Sequence, residues 1–151
     1  MKKVKDIGEF GLIARIEKRL GRGKAVVGIG DDTAVVKIGG KLVAYTTDSL
    51  VEGVHFSFKW SSPSEVGKKA IAVNVSDIGA MGGKPKYALV SLVVPKNTGL
   101  ATIKGIYEGL YAAGKSYGVE IVGGNVSSGG QLVVDVSMIG EVRRENLCLR
   151  R

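Results

Sequence analysis

The sequence predicts an α/β or α+β domain, a β-sheet layered with helices. Helix-period apolar spacing recurs in three stretches, five short β-like runs lie between them, and glycine or proline marks most junctions. With 151 residues, one domain is the expectation, and that length can bury a core. A composition of 44% hydrophobic and 24% charged residues excludes a disordered or low-complexity chain.

Residues 8–20 place Phe10, Ile13, Ile16 and Leu20 at three- and four-residue spacing, an amphipathic helix that Gly21-Arg22-Gly23-Lys24 breaks. Thr33–Ile38 and Leu42–Thr47, joined by Gly39-Gly40-Lys41, form a hairpin. A loop runs through Val51–Ser62. Ser62-Pro63-Ser64-Glu65 then starts a helix, because serine caps the first turn and proline tolerates it. That helix reaches Met81 and carries Asn74, Ser76 and Asp77 within an apolar stretch. Tyr87–Val94, nearly all apolar between Pro85 and Pro95, suits a buried strand. Residues 99–117 are again helical through Leu100, Ile103, Ile106, Leu110 and Ala113. Val119–Val122 and Leu132–Ile139 are the last strands, the second alternating Val134, Val136 and Met138 with Asp135 and Ser137.

No apolar run approaches the roughly 18–20 residues of a membrane span. The basic start, Met1–Asp6, is not followed by a signal-peptide core, and the lone Cys148 makes no internal disulfide; the expectation is a cytoplasmic protein. The formal charge of +8 is spread along the chain without arginine–aromatic interleaving, which is a solvated basic surface and not a nucleic-acid footprint.

Residues 109–116, Gly-Leu-Tyr-Ala-Ala-Gly-Lys-Ser, match the phosphate-binding pattern GxxxxGK[ST]. That pattern needs a loop entered from a strand and leaving into a helix. Here the match lies inside a helix and precedes a strand, so it is a decoy.

Four polar positions sit beside glycines or hydroxyls at chain turns: Gly28-Ile-Gly-Asp-Asp-Thr33, Thr46-Thr-Asp-Ser49, Asn74-Val-Ser-Asp77 and Gly123-Gly-Asn125. Singly, each reads as an ordinary turn or cap. Together they offer carboxylate, hydroxyl and amide oxygens at strand ends, the ligands that hard cations such as Mg²⁺ take. Asp77, inside an apolar helix, needs a cation, a hydrogen-bond network or a solvated cleft. His55, the only histidine, follows Glu52-Gly53-Val54.

These motifs resemble the thiamine-monophosphate kinase family. The resemblance rests on Gly28-Ile-Gly-Asp-Asp-Thr-Ala34, Thr47-Asp-Ser-Leu-Val-Glu-Gly-Val-His-Phe56, Ala72-Val-Asn-Val-Ser-Asp-Ile-Gly-Ala-Met-Gly82 and Gly123-Gly-Asn-Val-Ser127, with Gly8-Glu-Phe-Gly-Leu-Ile-Ala-Arg15 in support. It spans Gly8 to Arg151. The stretch through His55-Phe56 favours the kinase over its superfamily relatives aminoimidazole ribonucleotide synthase, selenophosphate synthetase and the hydrogenase maturation factor.

The resemblance implies a mixed sheet with helices on one face, pairing across a homodimer into a β-barrel. Residues 1–151 would be the N-terminal, ATP- and Mg²⁺-binding domain, and a C-terminal domain would lie outside this chain. By resemblance Asp32, Thr46, Thr47, Asp48 and Asp77 would hold Mg²⁺, with Asn125 supplying an oxygen where the family commonly has aspartate. Asp32, Tyr117, Gly124, Asn125 and Arg150 would contact ATP, and His55 would lie against thiamine monophosphate. The implied reaction transfers the ATP γ-phosphoryl group to thiamine monophosphate, giving thiamine diphosphate and ADP, with no nucleic acid or membrane as partner. The alternatives are another ATP-using superfamily member and a non-catalytic dimerising module. Little activity is expected from the 151 residues alone.

Overall fold

The computed structural model describes residues 3–20 and 23–150; Met1, Lys2 and Arg151 lie outside them, as do Gly21 and Arg22 of the expected helix break. Three helices, α1 (Gly8–Leu20), α2 (Pro63–Ala80) and α3 (Leu100–Tyr117), accompany five strands. The strands are β1 (Ala34–Ile38), β2 (Lys41–Val51), β3 (Gly83–Val94), β4 (Glu120–Ser128) and β5 (Val133–Val142), in the sheet order β1-β2-β5-β3-β4. Only β3 and β4, linked through α3, are parallel; the other pairs are antiparallel. The fold is α+β with a mixed sheet, as the sequence predicts.

Alternation along the strands sorts the two faces. Ala44, Leu50, Val90, Leu92, Val134, Val136 and Met138 are buried beneath α2, which covers them with Val66, Ala70, Ile71 and Ile78. On the opposite face Tyr45, Tyr87 and Leu89 stay exposed. Ser62 caps α2: its hydroxyl accepts from the Glu65 N–H while the Glu65 carboxylate accepts from the Ser62 N–H. Hydrogen bonds that the Ser62 N–H and the Ser62 hydroxyl donate to the Glu65 carboxylate hold it below its usual range. α3 lies on α2 at a close approach: a Cβ on Gly109 would collide with the Ser64 carbonyl. The glycine of the decoy motif is thus a helix-packing position, in the middle of α3.

Four strand ends differ from the sequence reading by three residues or more. β2 runs on to Val51, because β5 pairs with it from Leu42↔Val142 to Val51↔Val133. β5 reaches Val142 for the same reason. β3 begins at Gly83, and Pro85 sits at a register shift where its missing N–H breaks no regular ladder. β4 extends to Ser128 as a solvent-washed edge strand, so Gly123-Gly124-Asn125 lie inside a strand and not at a turn. Asp48 and Ser49 likewise lie within β2. α1 forms where its periodicity places it, yet none of its residues is buried and Phe10 is 86% exposed.

Candidate active site

The register of the sheet decides which polar residues can act together. Thr46 and Asp48 take the α2-facing side of β2, alternating with Ala44 and Leu50, while Thr47 and Ser49 take the open side. Above them α2 carries Asp77, half-buried, which accepts a 2.9 Å hydrogen bond from the Thr46 hydroxyl. Asp48 is close enough to feel this carboxylate. Its pKa is raised above the ordinary 3.8, first by burial and next by Asp77, with Asp135 adding to the rise and His55 opposing it. One turn before Asp77 on α2, Asn74 is fully buried; its amide nitrogen donates to the Ala70 carbonyl at 3.0 Å, and its Oδ1 has no partner among the described residues. Thr46, Asp48 and Asp77 therefore offer oxygen donors only, with negative charge already crowded, and this set fits a hard divalent cation.

The remaining predicted ligands do not join that group within one chain. Asp32, at the entrance to β1, pairs with the Arg150 guanidinium at 3.8 Å. Asp31 accepts from the Arg150 backbone N–H at 3.2 and 3.1 Å, tying the end of the chain to the turn before β1. Asp32 and Arg150 thus meet at the end of the chain. Asn125 is exposed on β4 and, through the pairs Ser91↔Asn125, Ser91↔Asp135 and Ser49↔Asp135, belongs to a polar row across the sheet. Two strands separate β4 from β2, so Asn125 and Asp48 stand about 14 Å apart at the usual strand spacing, on opposite faces. Thr47, on the open face, has its hydroxyl 3.4 Å from Asp135 and 3.1 Å from Ser137. Among the described residues no three His, Cys, Asp or Glu side chains cluster as a metal site by themselves.

Gly124 needs to be glycine for its setting, since a Cβ there would run into the Val90 carbonyl of β3. Tyr117 ends α3 and lines a groove of about 440 Å³ between α2 and α3 together with Lys68, Lys69 and Ala72. Lys69 also donates a 2.7 Å hydrogen bond to the His55 carbonyl, so it borders both Tyr117's groove and the His55 loop.

The sequence reading missed Asp135, and it placed Asp31 in the first polar turn without a role of its own. Asp135 accepts from the hydroxyls of Thr47 and Ser49 and contributes to the field at Asp48. Its signal was a carboxylate alternating with valines in β5, which reads equally as an ordinary solvent-facing position.

The profile of AIR synthase related protein, N-terminal domain, matches residues 30–142. The thiamine-monophosphate kinase of Bacillus subtilis (strain 168) is 46% identical over 146 residues, which are 94% of this chain and 45% of that protein. The thiamine-monophosphate kinase of Aquifex aeolicus (strain VF5) is 44% identical, covering 94% of this chain and 45% of its own length. Among solved structures, AaThiL complexed with AMPPCP and TMP is similar at 43% identity and a TM-score of 0.87, over 93% of this chain and 44% of that one. The chain spans less than half the length of these relatives. With the profile matching most of its length and the fold matching at a TM-score of 0.87, the chain belongs to the family of AIR synthase related proteins, as their N-terminal domain.

Proposed function

We propose that residues 1–151 are the N-terminal, ATP- and Mg²⁺-binding domain of a cytoplasmic thiamine-monophosphate kinase that transfers the γ-phosphoryl group of ATP to thiamine monophosphate. The observation that carries this reading is identity of 46% and 44% to two thiamine-monophosphate kinases across 94% of the chain. A structure of 43% identity, complexed with AMPPCP and TMP, supports the same pair of substrates.

The chemistry asks little covalent work of the protein. The acceptor oxygen belongs to a phosphomonoester whose second pKa is near ~6, so it is largely ionised at neutral pH without a general base. What must be supplied is alignment of two anions that repel each other. A bound Mg²⁺ would supply positive charge that offsets this repulsion. Thr46, Asp48 and Asp77 are the residues that would hold it, with Thr47, Asp32 and Asn125 proposed as further ligands. Arg150, Tyr117 and Gly124 are proposed to border the nucleotide, and His55 the acceptor phosphate. Arg150 brings the positive charge, and its backbone anchor at Asp31 limits its sway.

Dimerisation through the open face of the sheet belongs to this reading. Tyr45, Tyr87 and Leu89 expose 43%, 46% and 50% of their surface there, apolar area that a second copy would cover. The separation of Asn125 from Asp48 also favours a site completed by a second sheet. The test is formation of thiamine diphosphate from ATP and thiamine monophosphate by the full-length gene product. Turnover of aminoimidazole precursors with none of thiamine monophosphate would replace the reading by a different superfamily activity.

A further inference from the structure

We propose that His55 serves as a hydrogen-bond donor of fixed orientation through Nε2–H, and that Lys69 is the positioning residue that holds it. The inference rests on the kinase reading only for the ligand, the phosphate group of the acceptor.

Three hydrogen bonds converge on this one exposed residue. The Val51 N–H donates to His55 Nδ1 at 3.0 Å, the His55 N–H donates to the Val51 carbonyl at 2.8 Å, and Lys69 Nζ donates to the His55 carbonyl at 2.7 Å. A backbone N–H can only donate, so Nδ1 must present its lone pair, and a neutral imidazole then carries its proton on Nε2. A proton on Nδ1 would set two N–H groups head to head. Nε2 is left as the single polar atom of His55 without a partner among the described residues.

The next residue, Phe56, is buried, and its carbonyl accepts from the Gly53 N–H at 2.8 Å, so the loop is closed and pinned on both sides of His55. A histidine placed only for packing would bury its ring or use both nitrogens; this one is exposed, with its backbone and Nδ1 tied down. A phosphate oxygen accepts hydrogen bonds, and a preoriented donor meets it with no ordering left to do at the ring. Lys69 lies on α2, the helix that carries Asp77 eight residues later, about 12 Å along the axis. One rigid element thereby sets both a metal-binding carboxylate and the acceptor's donor.

Two measurements test this. His55 is the only histidine of the chain, so its ring ¹⁵N signals are unambiguous. The expected spectrum shows a single tautomer with the proton on Nε2, and Lys69→Met is expected to relax it toward the mixture of free imidazole. A wild-type spectrum showing the Nδ1–H form or that mixture overturns the proposal. The second measurement is steady-state kinetics of the full-length gene product. Glutamine places its amide nitrogen near the position of Nε2 and asparagine near that of Nδ1. His55→Gln should keep KM for thiamine monophosphate within about threefold, whereas His55→Asn and Lys69→Met should raise it about tenfold or more, the loss of one hydrogen bond to a charged group. KM for ATP should not move in the His55 variants, and Lys69→Arg should restore the loss seen in Lys69→Met. Equal effects of the glutamine and asparagine variants overturn the proposal. Emission of Trp60, the single tryptophan of these 151 residues, checks in the 151-residue chain that each substitution leaves it folded. A correct tautomer in a protein that leaves thiamine monophosphate unphosphorylated supports the positioning device while removing the kinase reading.

Discussion

The Thr46 hydroxyl on β2 and the Asp77 carboxylate on α2 are joined by a 2.9 Å hydrogen bond, the one side-chain link described here between a predicted strand ligand and a predicted helix ligand. It sets the height of α2 over the sheet at the point where Asp48 also lies. Replacing Thr46 by valine keeps the shape and the β-branch but removes the donor. Because Asp77 is only half-buried, water replaces part of what is lost, and the expected destabilisation is about 1 kcal/mol in metal-free buffer. Mg²⁺-dependent stabilisation should fall along with it. Denaturant unfolding of Thr46→Val with and without Mg²⁺ reads both; an unaltered response to Mg²⁺ would remove Thr46 from the metal site.

The crowding of Asp48 by burial and by Asp77 makes a statement about pH. Its folded-state pKa lies above the ordinary 3.8, so the ionised form is less welcome in the folded chain than in the unfolded one. The associated stability is fully present below 3.8 and is lost as pH rises through the raised value. In EDTA at pH 7, Asp48→Asn should therefore melt above the unsubstituted protein, and the drop across the acid range should flatten. Saturating Mg²⁺ should reverse the order, since only the aspartate gains a cation. A variant that melts lower in EDTA contradicts this account.

Elements with strong periodicity were legible from sequence alone: α1 begins and ends at the expected residues, and α2 begins one residue early, at Pro63. The strands were read short wherever polar or glycine residues entered them. Asp48 lies in β2 because β5 pairs along its full length, and Asn125 lies in β4 because β3 does the same for an exposed edge. Such long-range pairing leaves no local signal in a run like Gly-Gly-Asn-Val-Ser. For the site, spacing and residue chemistry singled out Asp48 and Asp77. Spacing could not show which of Thr46 and Thr47 faces α2 until the packing was known, nor that Asp135 joins Thr47 and Ser49.

The decoy phosphate-binding motif separates packing from chemistry in one pair of variants. Gly109 lies against the Ser64 carbonyl where α3 meets α2, so Gly109→Ala overpacks that crossing and should destabilise by about 1–3 kcal/mol. Lys115 is exposed near the end of α3, and Lys115→Ala should leave both stability and KM for ATP unchanged. A large rise in KM for ATP in Lys115→Ala would restore the motif as a nucleotide site.

Leu89 stands on the open face of β3, 50% exposed, between Ser137 of β5 and Gly123 of β4. If a second sheet covers this face, Leu89→Asp places a charge in the joint and should shift the protein from dimer to monomer in analytical ultracentrifugation. The isolated fold should tolerate the change, because the side chain makes no part of the buried core. A variant that sediments unchanged would move the dimer contact elsewhere.

By the resemblance, Asn125 stands where an aspartate is common, and Asn125→Asp places a carboxylate there. The nearest carboxylate along its row is Asp135, with β3 in between, about 10 Å away at the usual spacing. In water that repulsion amounts to less than ~0.5 kcal/mol, so the variant should fold with nearly unchanged stability. Its apparent Mg²⁺ affinity in the presence of ATP should rise about tenfold, the effect of one additional charged oxygen ligand. Titration of activity against Mg²⁺ in the full-length protein decides the matter. An unchanged curve would show that position 125 does not reach the metal, leaving Thr46, Asp48 and Asp77 to hold it without help from β4.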